Sequence, residues 1–151
     1  MNRRKKRFKF FQPDIRKKVV EYQKTVSYVD LFWNYPYTYL AMAEPEELFK
    51  IIPLLDDPRL TFALEALEHC PYNKRAVDIL VEYSKHPTIF VREGVIYGMR
   101  YHMDNPKILE TINYIIENDP IPELREIAKE TLEDGLEIFE KIKSEHPESY
   151  G

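Results

Sequence analysis

Cysteine is nearly absent from this chain, and long apolar runs are missing. Cys70 is the only cysteine among 151 residues, so an internal disulfide or a zinc site built from several cysteines is excluded. A single cysteine favours a reducing, cytoplasmic environment. No stretch approaches the roughly 18 apolar residues that span a bilayer, and the N-terminus lacks the apolar core of a secretory signal. We therefore expect a cytoplasmic protein with no membrane span.

Motifs for enzymatic chemistry are also missing. The four glycines form no phosphate-binding loop, dinucleotide fingerprint or nucleophile elbow. His69, His86, His102 and His146 do not fall at the spacings of metal ligands. His69 and Cys70 are adjacent, but neighbouring residues on a helix point about 100° apart, which disfavours a thiol–imidazole pair. The sequence thus predicts no catalytic residue, no metal site and no cofactor.

Charge is distributed very unevenly along the chain. Residues 1–24 contain ten Lys or Arg and only two acidic residues, which gives +8, whereas the whole chain carries −4. The remainder therefore carries −12. A basic arm joined to an acidic body is typical of an interaction tail, or of an arm attracted to its own body.

Apolar residues recur at spacings of three and four, the period of an amphipathic helix. This pattern predicts helices over 14–32, 45–56, 58–69, 73–84, 87–102, 105–117 and 121–133, with a final turn or helix to about 143. Pro53 lies inside the second of these segments and should kink or split it. Asn73 and Asn105 are predicted to cap the helices that follow them.

The predicted fold is based on an internal repeat in the sequence. Residues 86–99 align with residues 119–132 at an offset of 33, and the helices before them follow the same offset. Each unit is therefore predicted to be two helices joined by a tight link. The shared apolar positions predict burial of Val91, Val95, Met99, Leu109, Ile112, Ile116, Ala128 and Leu132.

The aligned helices resemble the HEAT-repeat family. Val91-Arg92 and Leu124-Arg125 match its apolar–arginine pair, and small residues follow in both units. The resemblance covers about residues 45–143, although the earlier unit at 56–67 lacks the apolar–arginine pair. It implies an all-α fold, a short right-handed α-solenoid of antiparallel helix pairs, and says little about activity.

Ala66, Gly98 and Thr131 occupy one small-residue position in successive units. Leucine at residue 98 should overpack the contact with the neighbouring helix. Alanine there should stabilise the helix by roughly 1 kcal/mol through its higher propensity.

The N-terminal part is rich in aromatic residues. We predict that the helix over 14–32 caps the open end of the stack, followed by a packed, irregular connection over 33–45. The predicted organisation is a basic arm at 1–13, the capping helix and connection at 14–44, HEAT-like helical repeats at 45–143, and a C-terminal tail at 144–151.

The first functional hypothesis is a non-enzymatic protein-interaction module, an adaptor or an inhibitor or immunity-type binder, that uses the inner helical face of the curved stack. Tyr114 lies opposite the apolar side of its helix, and the offset of 33 places Val81 in the equivalent position. Acidic residues share both helices, which suits a partner with a basic surface. The candidate protein-binding residues are Asp78, Val81, Glu82, Glu110, Tyr114 and Glu117.

The alternative hypothesis is nucleic-acid association through the basic arm. Charged and aromatic side chains alternate there, which suits phosphate neutralisation with base stacking. The candidate residues are Arg3, Arg4, Lys5, Lys6, Arg7 and Lys9. The same arm also fits an anionic membrane surface, a localisation signal or the chain's own acidic body.

Overall fold

The computed structural model describes residues 28–71 and 73–145, and this part of the chain is entirely helical, without strands. Three short 3-10 turns, at Ile52–Leu54, Leu67–His69 and Arg100–His102, follow α2, α3 and α5. The helices are α1 (Tyr28–Ala43), α2 (Pro45–Ile51), α3 (Asp57–Ala66), α4 (Lys74–Tyr83), α5 (Ile89–Gly98), α6 (Pro106–Asn118) and α7 (Pro122–Glu145).

Asparagine side chains cap the N-termini of α4 and α6, as the sequence predicts. Asn73 Oδ1 accepts a hydrogen bond from the Ala76 amide at 3.0 Å. Asn105 Oδ1 accepts from the amides of Lys107 and Ile108 at 2.9 and 3.3 Å. Each bond satisfies amides that have no partner inside the helix, which fixes where the two equivalent helices start.

Prolines begin helices or divide them. Pro45 and Pro106 stand at the first positions of α2 and α6, where the missing N–H costs little. Pro53 divides the second predicted segment, because α2 ends at Ile51 and a 3-10 turn follows. The prediction of a kinked or split helix is therefore confirmed.

The predicted irregular connection over 33–45 is wrong. Helix α1 runs through Tyr28–Ala43 with Pro36 inside it. A proline in a helix interior removes one backbone hydrogen bond and costs about 3 kcal/mol. Packing offsets that cost here, because α1 lies against α2 and α3, with Ala41 and Met42 buried. Residues 14–27 of the predicted capping helix lie outside the described residues.

The last helix is longer than predicted. Instead of ending near residue 133, α7 continues without interruption to Glu145. Gly135 does not end the helix. This glycine lies where α7 closely approaches Arg100 and Met103. A Cβ added at Gly135 would collide with the Met103 side chain and the Arg100 carbonyl. The glycine therefore allows α7 to pack closely against these two residues.

Neighbouring helices pack in a regular order. Helix α1 contacts α3, α3 contacts α5, and α5 contacts α7. Helices α4 and α6 contact each other and pack against α5 and α7, respectively. The core fills the space between these elements. Five of the eight residues predicted to be buried are fully enclosed, namely Val91, Val95, Met99, Ile112 and Ala128.

The other three, Leu109, Ile116 and Leu132, are only partly buried against the core. On α6 the buried side is centred on Ile108, Ile112 and Ile115, so Leu109 and Ile116 flank it. On α7 the buried Thr131 takes the central position beside Leu132. The repeat offset locates the apolar side of each helix to within one residue.

The closest helix contact lies between α3 and α5. Gly94 and Gly98 face the backbone of Thr61 and Leu64, and a Cβ at either glycine would collide with the carbonyl oxygen opposite. The expectation that alanine at residue 98 stabilises the fold is therefore wrong. Helix propensity favours alanine, but no space exists for its methyl group.

Candidate partner-binding surface

The six residues predicted to bind a protein lie on α4 and α6, and we call the exposed side of these helices the α4–α6 surface. Its acidic members, Asp78, Glu82, Glu110 and Glu117, are all exposed. Tyr114 is 56% exposed, whereas Val81 is half-buried and packs against the core. Tyr114 is thus the large side chain that this surface offers to a partner.

Two lysines lie among these residues and were not anticipated from the sequence. Lys107 Nζ is 3.6 Å from Asp78 Oδ1, in a solvent-exposed pair that contributes at most about 1 kcal/mol. Lys85 Nζ is 5.6 Å from the centroid of the Tyr114 ring. The repeat offset shows which positions of α4 and α6 are equivalent. It does not show which side chains touch where the two helices lie together. The surface carries both signs of charge, with acid in excess.

A shallow hollow of about 270 Å³ lies beside Tyr114, between the α4–α5 and α6–α7 turns. Sites for small molecules usually measure about 300–1,000 Å³. This hollow suits one side chain of a partner better than a cofactor. Lys85, His86, Tyr114, Ile115 and Asn118 are among its lining residues.

An ion pair between Arg92 and Asp119 lines the hollow. Arg92 Nε and Nη2 donate to the two carboxylate oxygens of Asp119, at 2.9 and 3.3 Å. Arg92 Nη1 donates to the carbonyls of His86 and Pro87. Asp119 also accepts a hydrogen bond from the Ile121 amide at 3.0 Å. Arg92 therefore holds the α6–α7 turn against α5.

The adjacent His69 and Cys70 do not form a nucleophile. The Cys70 thiol donates to the Ala41 carbonyl at 3.0 Å, and burial raises the pKa of the thiol to about 12. The reactive thiolate is therefore almost absent at neutral pH. His69 Nε2 lies 3.5 Å from the Glu68 carboxylate. These groups are occupied by structural contacts.

A buried ion pair lies deeper in the molecule. Arg100 Nη2 is 3.0 Å from Glu68 Oε2, and the two side chains are 1% and 0% exposed. The guanidinium also lies 5.3 Å from the centroid of the Tyr101 ring. This pair is not predicted from the sequence, because charged residues are normally assigned to the surface. The sequence offers one indication of this pair: Glu68 and Arg100 are 32 residues apart, which is nearly the length of one repeat.

The described residues contain no group of three His, Cys, Asp or Glu side chains arranged to hold a metal ion. Each described helix is either too short or too polar to cross a membrane. No protein family, curated protein or solved structure matches this chain. The chemistry of its surface is therefore the basis for inferring its function.

The candidate nucleic-acid-binding residues, Arg3 to Lys9, lie outside the described residues. Binding of nucleic acid by the arm stays a prediction.

His102 should make the fold sensitive to acid. Burial lowers the pKa of its imidazole, although a hydrogen bond to Leu67 and the charge of Glu68 oppose this effect. His102 Nε2 lies 2.8 Å from the Leu67 carbonyl, which only accepts, so this nitrogen carries the proton of the neutral ring. Folding thus favours the neutral form. The stabilising effect of the neutral His102 ring is complete above about pH 6.5, the ordinary pKa of histidine. It is lost as the pH falls toward the lowered pKa of His102 in the folded protein.

His102→Gln isolates this effect, because glutamine can donate to Leu67 without titrating. We expect the variant to be less stable at pH 8 but to show a shallower loss between pH 6.5 and 5, by up to about 1.4 kcal/mol per pH unit. Urea unfolding followed by circular dichroism measures both profiles. Parallel profiles would show that His102 does not control the acid response.

Proposed function

We propose that this chain is a non-enzymatic HEAT-like helical-repeat module that binds another protein through the α4–α6 surface. The observation that carries the proposal is the position of Tyr114, which is 56% exposed beside a hollow large enough for one side chain. Tyrosine offers a large, rigid contact area and is enriched among the residues that dominate binding energy. The proposed role is that of an adaptor or of an inhibitor or immunity-type binder.

The packing supports a repeat arrangement. Val95 on α5 and Ala128 on α7 are fully buried at equivalent positions, 33 residues apart. Helix α5 lies between α3 and α7, and α4 lies beside α6, as expected for successive helix pairs. We propose that these pairs form a short right-handed α-solenoid in which α1, packed on α3, belongs to the cap at one end.

The charge of the surface supports a partner with a basic surface. Four acidic residues surround Tyr114 and Val81, while Lys85 and Lys107 lie close to Tyr114 and Asp78. Glu110 and Glu117 lie four residues before and three after Tyr114, so all three share one side of α6. A basic partner would therefore meet acid on both sides of the aromatic anchor, which favours encounter and orientation.

The test is a triple variant, Tyr114→Ala with Glu110→Lys and Glu117→Lys. The protein that wild type captures from the source cells is identified, purified and titrated against each variant. We expect binding to weaken by about 30-fold or more, because loss of a central aromatic anchor costs about 2 kcal/mol or more. Circular dichroism should show an unchanged helix content, since all three residues are exposed.

A matched control carries the same chemical changes at exposed residues of α1 and of the start of α2. Tyr39→Ala with Glu44→Lys and Glu46→Lys alters the net charge equally. The control should retain wild-type affinity. If the partner binds the α6 triple variant as tightly as this control, the α4–α6 surface is not the binding site.

A further inference from the structure

Helix α5 presents an aromatic and acidic stripe that the proposed function does not use. Phe90, Glu93 and Tyr97 are spaced by three and four residues, so they lie on one side of the helix. Val91 and Val95 are fully buried. Phe90 is 69% exposed, and Glu93 and Tyr97 are half-buried. This stripe is the first part of what we call the α5–α7 face.

Helix α7 supplies the second part of this face. The burial of Ala128 and Thr131, one repeat after Val95 and Gly98, shows that α7 has the same rotational setting as α5. The residues one repeat after Phe90, Glu93 and Tyr97 are Glu123, Glu126 and Glu130, which are all acidic and exposed. The α5–α7 face thus comprises Phe90, Glu93 and Tyr97 with Glu123, Glu126 and Glu130.

One segment of the chain has the complementary chemistry. Residues 3–11 read RRKKRFKFF, six basic side chains and three phenylalanines without an acidic residue. Arginine and lysine pair with carboxylates and stack on aromatic rings, and phenylalanine packs against exposed aromatics. The first 24 residues carry +8 and the remainder carries −12, so the two parts of the chain attract each other.

The chain is also long enough to bring these parts together. About 16 residues separate Phe11 from Tyr28. If residues 14–27 are helical, as the sequence predicts, this segment spans about 30 Å, at about 1.5 Å per helical residue and about 3.3 Å per extended residue. Helix α1, which begins at Tyr28, packs on α3, and α3 packs on α5. Helix α3 therefore lies between α1 and the first helix of the face.

We propose that residues 3–11 bind the α5–α7 face of their own chain. The arm then neutralises an acidic surface and covers an exposed aromatic side chain, and it leaves the α4–α6 surface open to a partner. An external basic and aromatic segment would have to displace the arm to reach this face. The proposal does not depend on the function assigned to the α4–α6 surface.

A spin label on the full-length chain tests this contact directly. Asn2→Cys provides one reactive thiol, because native Cys70 is buried and its thiol pKa is raised to about 12. We expect the nitroxide to broaden the amide signals of residues 90–97 and 123–130 more strongly than those of residues 78–85 and 110–117, which lie one helix diameter or more farther away. At 1 M salt, where the Debye length is about 3 Å, the broadening should decrease.

Paired charge reversals show whether local contacts or overall charge hold the arm. Glu126→Lys with Glu130→Lys should remove most of the broadening on the α5–α7 face. Glu110→Lys with Glu117→Lys changes the net charge equally on the α4–α6 surface and should leave it unchanged. Equal losses in the two variants, or broadening centred on α4 and α6, would overturn the proposal.

A mixed sample distinguishes binding within one chain from binding between two chains. Isotope-labelled protein without the nitroxide is combined with unlabelled protein that carries it. Within-chain binding predicts sharp signals throughout the isotope-labelled chain. Broadening of residues 90–97 in this sample would assign the face to the arm of a second copy and refute the intramolecular contact.

Discussion

Replacing Arg100 by methionine should lower the free energy of unfolding by about 3–5 kcal/mol, a large part of a typical domain's stability. Methionine keeps much of the side-chain volume but removes the guanidinium. The Glu68 carboxylate, 0% exposed and 3.0 Å from Arg100 Nη2, would then be buried without its cation. Urea unfolding followed by circular dichroism measures the loss.

The double variant Glu68→Leu with Arg100→Met should recover most of this stability, because replacing a whole buried ion pair by apolar groups is often close to neutral. Arg75→Met, at an exposed position on α4, is the matched control and should change stability by less than about 0.5 kcal/mol. A loss at Arg100 no greater than at Arg75, or a double variant as unstable as the single, would contradict this account.

Replacing Gly98 by alanine should destabilise the fold by about 1–3 kcal/mol, against the gain of about 1 kcal/mol that helix propensity predicts. The added Cβ would collide with the Leu64 carbonyl oxygen and would lie 2.8 Å from Leu80 Cδ2. A backbone carbonyl inside a helix cannot rotate away as a flexible side chain can. Thermal and urea unfolding measure the change.

Gly94→Ala should have a similar effect, because its Cβ would meet the Thr61 carbonyl one turn earlier. Combining the two changes should cost less than their sum, since a single separation of α3 from α5 relieves both contacts. Glu133→Ala, at an exposed position on α7, controls for alanine in a helix. A Gly98→Ala protein that melts at or above the wild-type temperature would rule out the close contact.

Features encoded locally were predictable from the sequence. The caps at Asn73 and Asn105 and the break at Pro53 each depend on a few neighbouring residues. The burial of Val95 and Ala128 followed from the repeat. The continuation of α1 beyond residue 32 was missed because contacts with other helices outweigh the local penalty of Pro36.

The candidate surface was predictable only in part. Helical periodicity was enough to place Tyr114 on the outside of α6. It could not reveal that Lys85 lies over the Tyr114 ring or that Lys107 reaches Asp78, because those contacts depend on how α4 and α6 lie together. The pairing of Glu68 with Arg100 also depends on tertiary packing, since it joins the 3-10 turns that follow α3 and α5.

The distance along the chain between bonded partners bears on how the protein forms during synthesis. In the described part of the chain, four pairs of residues joined by buried hydrogen bonds lie 27 to 35 positions apart, namely Cys70 and Ala41, Arg92 and Asp119, Arg100 and Glu68, and His102 and Leu67. Each segment leaving the ribosome therefore meets partners synthesised a few seconds earlier, at about 5–20 residues per second. Nascent chains can pair Arg100 with Glu68 before α7 has packed against the turn that contains Arg100.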